Sequence, residues 1–504
     1  MPLSRHRIDL VPRPSHLTVM NGRFTFDDRT AVRAAPGAEP AAALLRTLLA
    51  PATGLPLPLA ADGRVVIALD AGLTGLGAEG YGLTVGADAV LLRAARPEGL
   101  VHGVQTIRQL LPPEALSGSP VRGTPWSVPC VQITDIPRFA WRGAMLDVAR
   151  HFQPMSFLRR FTDLLALHKL NVLHLHLTDD QGWRMPVAAR PKLTEVGGTP
   201  HGGAYTRQEL AGLVDHAAAR GITVVPEIEM PGHARAALAA YPHLGNRPGR
   251  QLEVWRRWGV CDTVLGVHDE VLDFCRTVLD EVMDTFPSPY VHLGGEECPT
   301  TEWHQSPAAL ARVAEQGLES PDALHGWFMG RMGEFVAERG RRPLGWTETG
   351  VDLPDTFTVL PWRDQRHGLA AARGGRQVIM APYRSTYLDY PQSARPGEPP
   401  GQPGQVIDLR TVYATEPAPA HWEPEAAARV LGTQAQLWTE YVTTPAHAEY
   451  LAFPRLCALA DTAWSGGHDW PGFQARMHRH RARLDALGVP DRPPVHHPSR
   501  EDSP

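Results

Sequence analysis

Between residues 137 and 490 the chain repeats one unit: a short apolar run, a loop, then a stretch with helical spacing of apolar residues. The apolar runs fall at 143–148, 171–177, 222–228, 290–293, 344–347, 358–360, 377–380 and 431–437. Helical spacing recurs at 157–167, 207–219, 270–285, 323–339 and 368–373, and in two further stretches, 446–463 and 471–487. A strand apolar on both faces needs cover on both, and parallel neighbours need a crossover to bring the chain back. Eight such strands with helical crossovers predict a (β/α)8 barrel, an α/β fold. The rival, a doubly wound open sheet, opens a helix with G-x-G-x-x-G, and no helix here begins that way.

Residues 1–136 read as a small α+β N-terminal domain, with strands at 17–26 and 64–69 and a hairpin of 81–85 and 90–94 about Gly86-Ala87-Asp88. Helices are expected at 41–49 and 100–111, the second stopped by Pro112-Pro113. The Pro- and Gly-rich stretch 112–129 reads as a linker, and 391–424 as a long Pro-rich loop over the barrel mouth. The barrel domain is expected over 137–490, followed by a Pro- and His-rich tail, 491–504.

Composition narrows the function. Net charge is −5, from 49 basic and 54 acidic residues without a long block of either sign, which argues against nucleic-acid and membrane-surface partners. No run of 18 apolar residues offers a membrane span. Five cysteines, odd in number and without a C-x-x-C pair, point to neither a disulfide framework nor a zinc knuckle. Residues 1–7 lead into polar sequence without the apolar stretch of a signal peptide; the expectation is a cytoplasmic protein, or an exported one if a leader precedes them. Nothing in the sequence speaks to oligomeric state.

Barrel enzymes take their chemistry from residues at the C-terminal ends of the strands. Here the ends deliver Asp147 and Arg150-His151; His174, His176 and Asp179-Asp180; Glu227, Glu229 and His233; and Gly294-Gly295-Glu296-Glu297. Later ends deliver Trp346, Trp362, Tyr387-Leu388-Asp389 and Trp438-Thr439-Glu440. One rim thus gathers carboxylates, histidines, an arginine and three indoles. Flat apolar plates beside charged groups suit a pyranose, whose C–H face stacks while its hydroxyls take polar partners.

Arg150-His151-Phe152, the run His174-Leu175-His176-Leu177-Thr178-Asp179-Asp180-Gln181-Gly182-Trp183-Arg184, Pro231-Gly232-His233, His292-Leu293-Gly294-Gly295-Glu296-Glu297 and Leu437-Trp438-Thr439-Glu440 resemble glycoside hydrolase family 20. These are the β-N-acetylhexosaminidases. Leu10-Val11-Pro12-Arg13-Pro14 and Gly103-Val104-Gln105-Thr106 resemble the family's small N-terminal domain. The resemblance implies exo-acting removal of terminal β-linked N-acetylglucosamine or N-acetylgalactosamine with retention, in carbohydrate metabolism that includes chitin degradation. The partners it implies are N-acetylhexosamine-terminated oligosaccharides or glycoconjugates, and it calls for no cofactor and no metal. The nucleophile in this family is the substrate's own acetamido oxygen.

By motif position Glu297 is the general acid/base, and Glu296 orients the acetamido N–H and stabilises the oxazolinium intermediate. Two adjacent carboxyls in an apolar pocket do not both ionise cheaply, so one is expected to stay protonated near neutrality. The family usually has Asp-Glu where this chain has Glu-Glu; the extra methylene advances the carboxylate by roughly 1 Å, a displacement that can cost about 100-fold in rate. Activity is nevertheless expected to persist. Asp179 and His233 match the pair that holds the acid, and Tyr387 the tyrosine on the acetamido oxygen. Arg150, Asp389 and Glu440 match the hydroxyl-binding residues, and Trp346, Trp362 and Trp438 the pocket walls. A fourth wall, expected before Tyr413, has only Trp422 as a nearby candidate. His174 and His176, on one face of a strand, read as hydrogen-bonded core histidines, and Cys298 as a packed thiol.

Three other readings fit parts of the pattern. A metal-dependent barrel hydrolase would use His174, His176, His233 and His292 but leaves the tryptophans unexplained. A catalytically weakened sugar-binding barrel would follow from Glu296, and a retaining glycosidase with a protein nucleophile from the carboxylates.

Overall fold

The computed structural model of the protein describes residues 8–199, 202–247, 249–350 and 352–490; the predicted tail, 491–504, and residues 1–7 lie outside the described residues. The N-terminal unit is a six-stranded mixed sheet of β1 (His16–Thr25), β2 (Val32–Ala34), β3 (Val65–Leu69), β4 (Tyr81–Val85), β5 (Val90–Ala94) and β6 (Ser127–Asp135), in the order β1-β6-β4-β5-β3-β2. Helices Glu39–Thr53 and Pro97–Leu110 pack on it around a core that includes Leu45, Ile67, Leu92 and Val104. The linker expected over 112–129 is corrected at its end, because Ser127–Pro129 already belong to β6. β6 pairs with β4 only from Val131 to Asp135, so Pro129 sits where the strand has β1 alone as a neighbour. A missing N–H is tolerated there, and the proline disguised a strand.

The second unit is a closed barrel of eight parallel strands. In chain order they are Trp141–Asp147, Val172–His176, Thr223–Glu227, Tyr290–His292, Arg342–Thr347, Thr358–Pro361, Val378–Met380 and Val430–Leu437. The eighth strand closes the ring on the first, Gly432 opposite Trp141 through Leu437 opposite Leu146. Outer helices include Met155–Leu167, Arg207–Ala218, Asp269–Thr285, Leu324–Glu338 and Gln365–Arg373. Local signals set their ends: Thr206 and Glu209 form a reciprocal capping box, and Gly466 closes Arg455–Ser465 in the left-handed region. No helix among the described residues is long and apolar enough to cross a membrane.

The two units are joined by buried polar contacts. Lys169, between the first and second barrel strands, places its ammonium 2.7 Å from Asp135 of β6, and Trp464 donates its indole N–H to the same carboxylate at 2.8 Å. Arg142 pairs with Glu79 at 2.6 Å and donates to the Lys169 and Phe139 carbonyls. The barrel's lower half is thereby clamped, and its opposite rim is left to the loops that carry the chemistry.

Candidate active site

The fourth strand stops at His292, and after Leu293 two glycines turn the chain through the left-handed region, with φ of +65° at Gly294 and +97° at Gly295. A Cβ on Gly294 would lie 1.7 Å from the Glu229 carboxyl, and one on Gly295 would lie 2.7 Å from Met329 Cε. Only glycine lets this turn lie against the third-strand loop, and the turn aims the next two side chains into the barrel mouth. Glu296 and Glu297 arrive there with different surroundings. The Glu297 side chain keeps 29% exposure, whereas burial pushes the Glu296 carboxyl up to about 7 against the opposing charge of His233. The split expected of the pair thus raises the group aligned with acetamido binding.

Glu297 is flanked on its inner side by His233, whose Nε2 lies 3.8 Å from Glu297 Oε2. His233 Nδ1 is 3.2 Å from Asp179, whose other oxygen meets Arg150 Nη2 at 2.9 Å and His176 Nε2 at 2.9 Å. Burial alone would keep His233 neutral, but the Asp179 charge raises it well above the usual imidazole range. Asp179 itself is held well below the carboxylate range, burial being overcome by Arg150 and His233. It does not line the pocket; it stands one layer behind, holding two residues that do.

Below this layer Glu227 is a hub. Its oxygens lie 2.5 Å from His176 Nδ1, 3.1 Å from His174 Nε2 and 2.8 Å from His292 Nδ1, and one accepts the Trp346 indole N–H at 2.7 Å. His174 also meets Gln434, 2.9 Å away. Burial lowers His174 to about 4, while for His176 the charge of Glu227 and the hydrogen bond to Asp179 override burial and raise it to about 10. The strand-two histidines are thus hydrogen-bonded core groups, and His176 reaches the site through Asp179.

The cavity at this rim is small, about 150 Å³, and brings together Arg150, His233, Glu296, Glu297, Trp346, Trp362, Tyr387, Asp389, Trp438 and Glu440. Trp362 and Tyr387 stack with ring centroids 6.3 Å apart, and Trp346 and Tyr387 each pack near Trp438. Arg150 lies over Trp438, 5.0 Å from its centroid, so its ion pair with Asp179 and its place in the pocket coexist. Tyr383, Tyr390 and Gln402 also line the cavity. The two tyrosines flank Tyr387-Asp389 and were within reach of the strand-end rule; Gln402 comes from the long loop, where no local pattern marks it. Trp422, the nearby candidate for a fourth wall, is buried in the hydrophobic core and takes no part in the lining. Four buried polar atoms of lining residues have no hydrogen-bond partner among the described residues: Glu296 Oε2, Asp389 Oδ1, Trp362 Nε1 and His233 Nε2. Burial and the neighbouring Glu440 charge raise Asp389 well above the carboxylate range, and burial raises Glu440 against the pull of Arg150.

Three groupings here have metal-ligand spacing, His174–Glu227–His292, His176–Glu227–Glu229 and Asp179–Asp180–His233. The first shares the Glu227 carboxylate with His176 and Trp346, which are its other neighbours. Cys298, next in the chain to Glu297, is pushed up to about 12 by burial, a thiol rather than a thiolate. A larger cleft, about 930 Å³ beside helix Trp470–Ala486, holds none of the strand-end groups, so volume alone does not locate the chemistry.

Comparison with known proteins gives concordant matches. The model of the glycosyl hydrolase family 20 catalytic domain matches residues 139–467, and that of the family's domain 2 matches 7–136. A β-hexosaminidase of Porphyromonas gingivalis is 37% identical over 503 residues; the match covers 96% of this chain and 64% of that protein's length. A β-hexosaminidase of Akkermansia muciniphila is 37% identical over 421 residues, covering 80% and 83%. Among solved structures, the β-N-acetylhexosaminidase of Streptomyces coelicolor A3(2) superposes with a TM-score of 0.84 at 34% identity, covering 96% of this chain and 97% of that one. An exo-β-N-acetylglucosaminidase of Vibrio harveyi, in complex with N-acetylglucosamine, gives 0.87 at 32% identity, covering 97% and 79%.

Proposed function

The chain belongs to glycosyl hydrolase family 20 and is a β-N-acetylhexosaminidase, an exo-acting glycosidase of terminal N-acetylglucosamine or N-acetylgalactosamine; on that premise we propose that it works with substrate assistance in the pocket of Glu296 and Glu297. One observation carries the reading: a small, aromatic-walled pocket offers buried acceptors at Glu296 and Asp389 and a buried donor at Trp362, each without a hydrogen-bond partner among the described residues. A buried polar group left unpaired is costly, and a sugar's hydroxyls and acetamide match such a set.

In the first step the acetamido oxygen attacks C1 while the bond from C1 to the leaving oxygen breaks, and Glu297 gives that oxygen its proton. The Glu296 carboxylate accepts the acetamido N–H and faces the positive charge of the oxazolinium ring. Tyr387 fixes the acetamido oxygen, and Arg150, Asp389 and Glu440 take ring hydroxyls. His233, raised by the Asp179 charge, stands beside Glu297 with its Nε2 3.8 Å from Oε2 and holds the carboxyl in place. In the second step Glu297 removes a proton from water, which attacks C1 on the face the leaving group vacated and reopens the ring with retention.

Glu297→Gln tests the roles directly. Cleavage of an alkyl N-acetylglucosaminide is expected to fall by about 10²–10⁴, and that of a dinitrophenyl glycoside much less, because the latter leaving group needs no proton. An N-acetyl-thiazoline mimic of the oxazolinium should inhibit the unaltered protein. Equal losses on both substrates, or no inhibition, would overturn the mechanism; loss of activity to EDTA that zinc restores would favour the metal hydrolase.

A further inference from the structure

The two oxygens of Glu297 face different ways. Oε2 looks inward to His233, and Oε1 lies 3.5 Å from the guanidinium Nη2 of Arg363. Arg363 follows Trp362 at the end of the sixth strand and lies over its ring, 4.1 Å from the centroid. The same Nη2 donates to Glu348 Oε1 at 2.7 Å, and Nε to that oxygen at 3.2 Å. Glu348 follows the fifth strand, so the ion pair bridges two neighbouring strand ends beside the acid.

The group that protonates a leaving oxygen touches it, so the leaving residue starts within one bond of Glu297 and extends toward its exposed side. Arg363 and Glu348 stand on that side, with side chains 47% and 31% exposed. Within the described residues, Arg363 Nη1 and Glu348 Oε2 make no hydrogen bond, which leaves a donor and an acceptor side by side. A sugar hydroxyl is both donor and acceptor, and a guanidinium edge spans adjacent hydroxyls. An ion pair this exposed is worth little, so it rearranges readily around a ligand. We infer that Arg363 and Glu348 form the binding site for the leaving sugar, and that the preferred substrates carry a hydroxyl-bearing sugar, not a simple alkyl or aryl group, beyond the scissile bond. This rests on Glu297 being the acid.

Two substrates with equally poor leaving groups separate this role from an effect on the acid. A disaccharide of two β-linked N-acetylglucosamines presents hydroxyls beyond the scissile bond, and methyl β-N-acetylglucosaminide does not. Arg363→Gln and Glu348→Ala are each expected to lower the disaccharide-to-methyl ratio of kcat/KM by about tenfold, the worth of one hydrogen bond to a charged group. A ratio that stays fixed while both substrates slow together would make Arg363 a tuner of Glu297 and overturn the inference; so would a ratio that both variants leave unchanged at full activity. If the unaltered protein cleaves neither substrate, the reading of Glu297 fails instead.

Discussion

At Glu296 burial raises the carboxyl to about 7, because the pocket gives its charge little solvation. In the acetamido role proposed for it, Glu296 acts only when ionised. The value of kcat/KM is therefore expected to fall as pH drops through about 7, where free protein takes up the proton. Bound substrate supplies an N–H and then a positive ring, both favouring the carboxylate, so the acidic limb of kcat should lie at lower pH than that of kcat/KM. Parallel pH profiles of the two constants check this; coincident limbs would show that Glu296 is not the titrating group. The neighbouring Glu229 has two buried oxygens without a hydrogen bond among the described residues, and burial together with the charge of Glu296 raises it well above the carboxylate range. Only Glu227-x-Glu229 was readable from sequence, and a solvated pair would have had the same letters.

At the scale of elements, the turn after the fourth strand carries most of the precision. Gly294→Ala places a methyl on the Glu229 carboxyl and strains a φ of +65°. It is expected to lower kcat by about 100-fold, the size of loss a roughly 1 Å misplacement brings. Pairing it with Glu229→Ala removes the clash and should recover part of the lost Tm, though not the strain. Steady-state kinetics and thermal unfolding of both variants check this; wild-type kcat in Gly294→Ala would show that the turn yields freely. The strands themselves were legible because a barrel strand is a short apolar run between breakers, and each expected run coincides with an observed one to within about two residues. β6 was less so, since Pro129 suppresses the pattern at a place where only one neighbour needs an N–H.

At the scale of the molecule, the N-terminal sheet and the barrel meet through a buried ion pair. Lys169 and Asp135 are both almost fully shielded, so removing one charge strands the other. Lys169→Met is expected to cost about 3–5 kcal/mol, seen as a lowered Tm, with Lys169→Met/Asp135→Leu closer to the unaltered protein. A double variant less stable than the single one would mean that Asp135 serves mainly its Tyr81 and Trp464 partners. The sequence by itself determined the barrel and the membership of its rim. Parallel strands bring every C-terminal end to one side, so order along the chain becomes proximity in space without further information. What only the tertiary structure decided is the state of those residues: that a carboxyl oxygen of Glu296 is shielded from solvent, that Glu227 holds Trp346 from 119 residues away, and that Arg363 leans on Glu297. Protonation and pairing depend on solvent exclusion and on distances between remote segments, and no local pattern of letters encodes either.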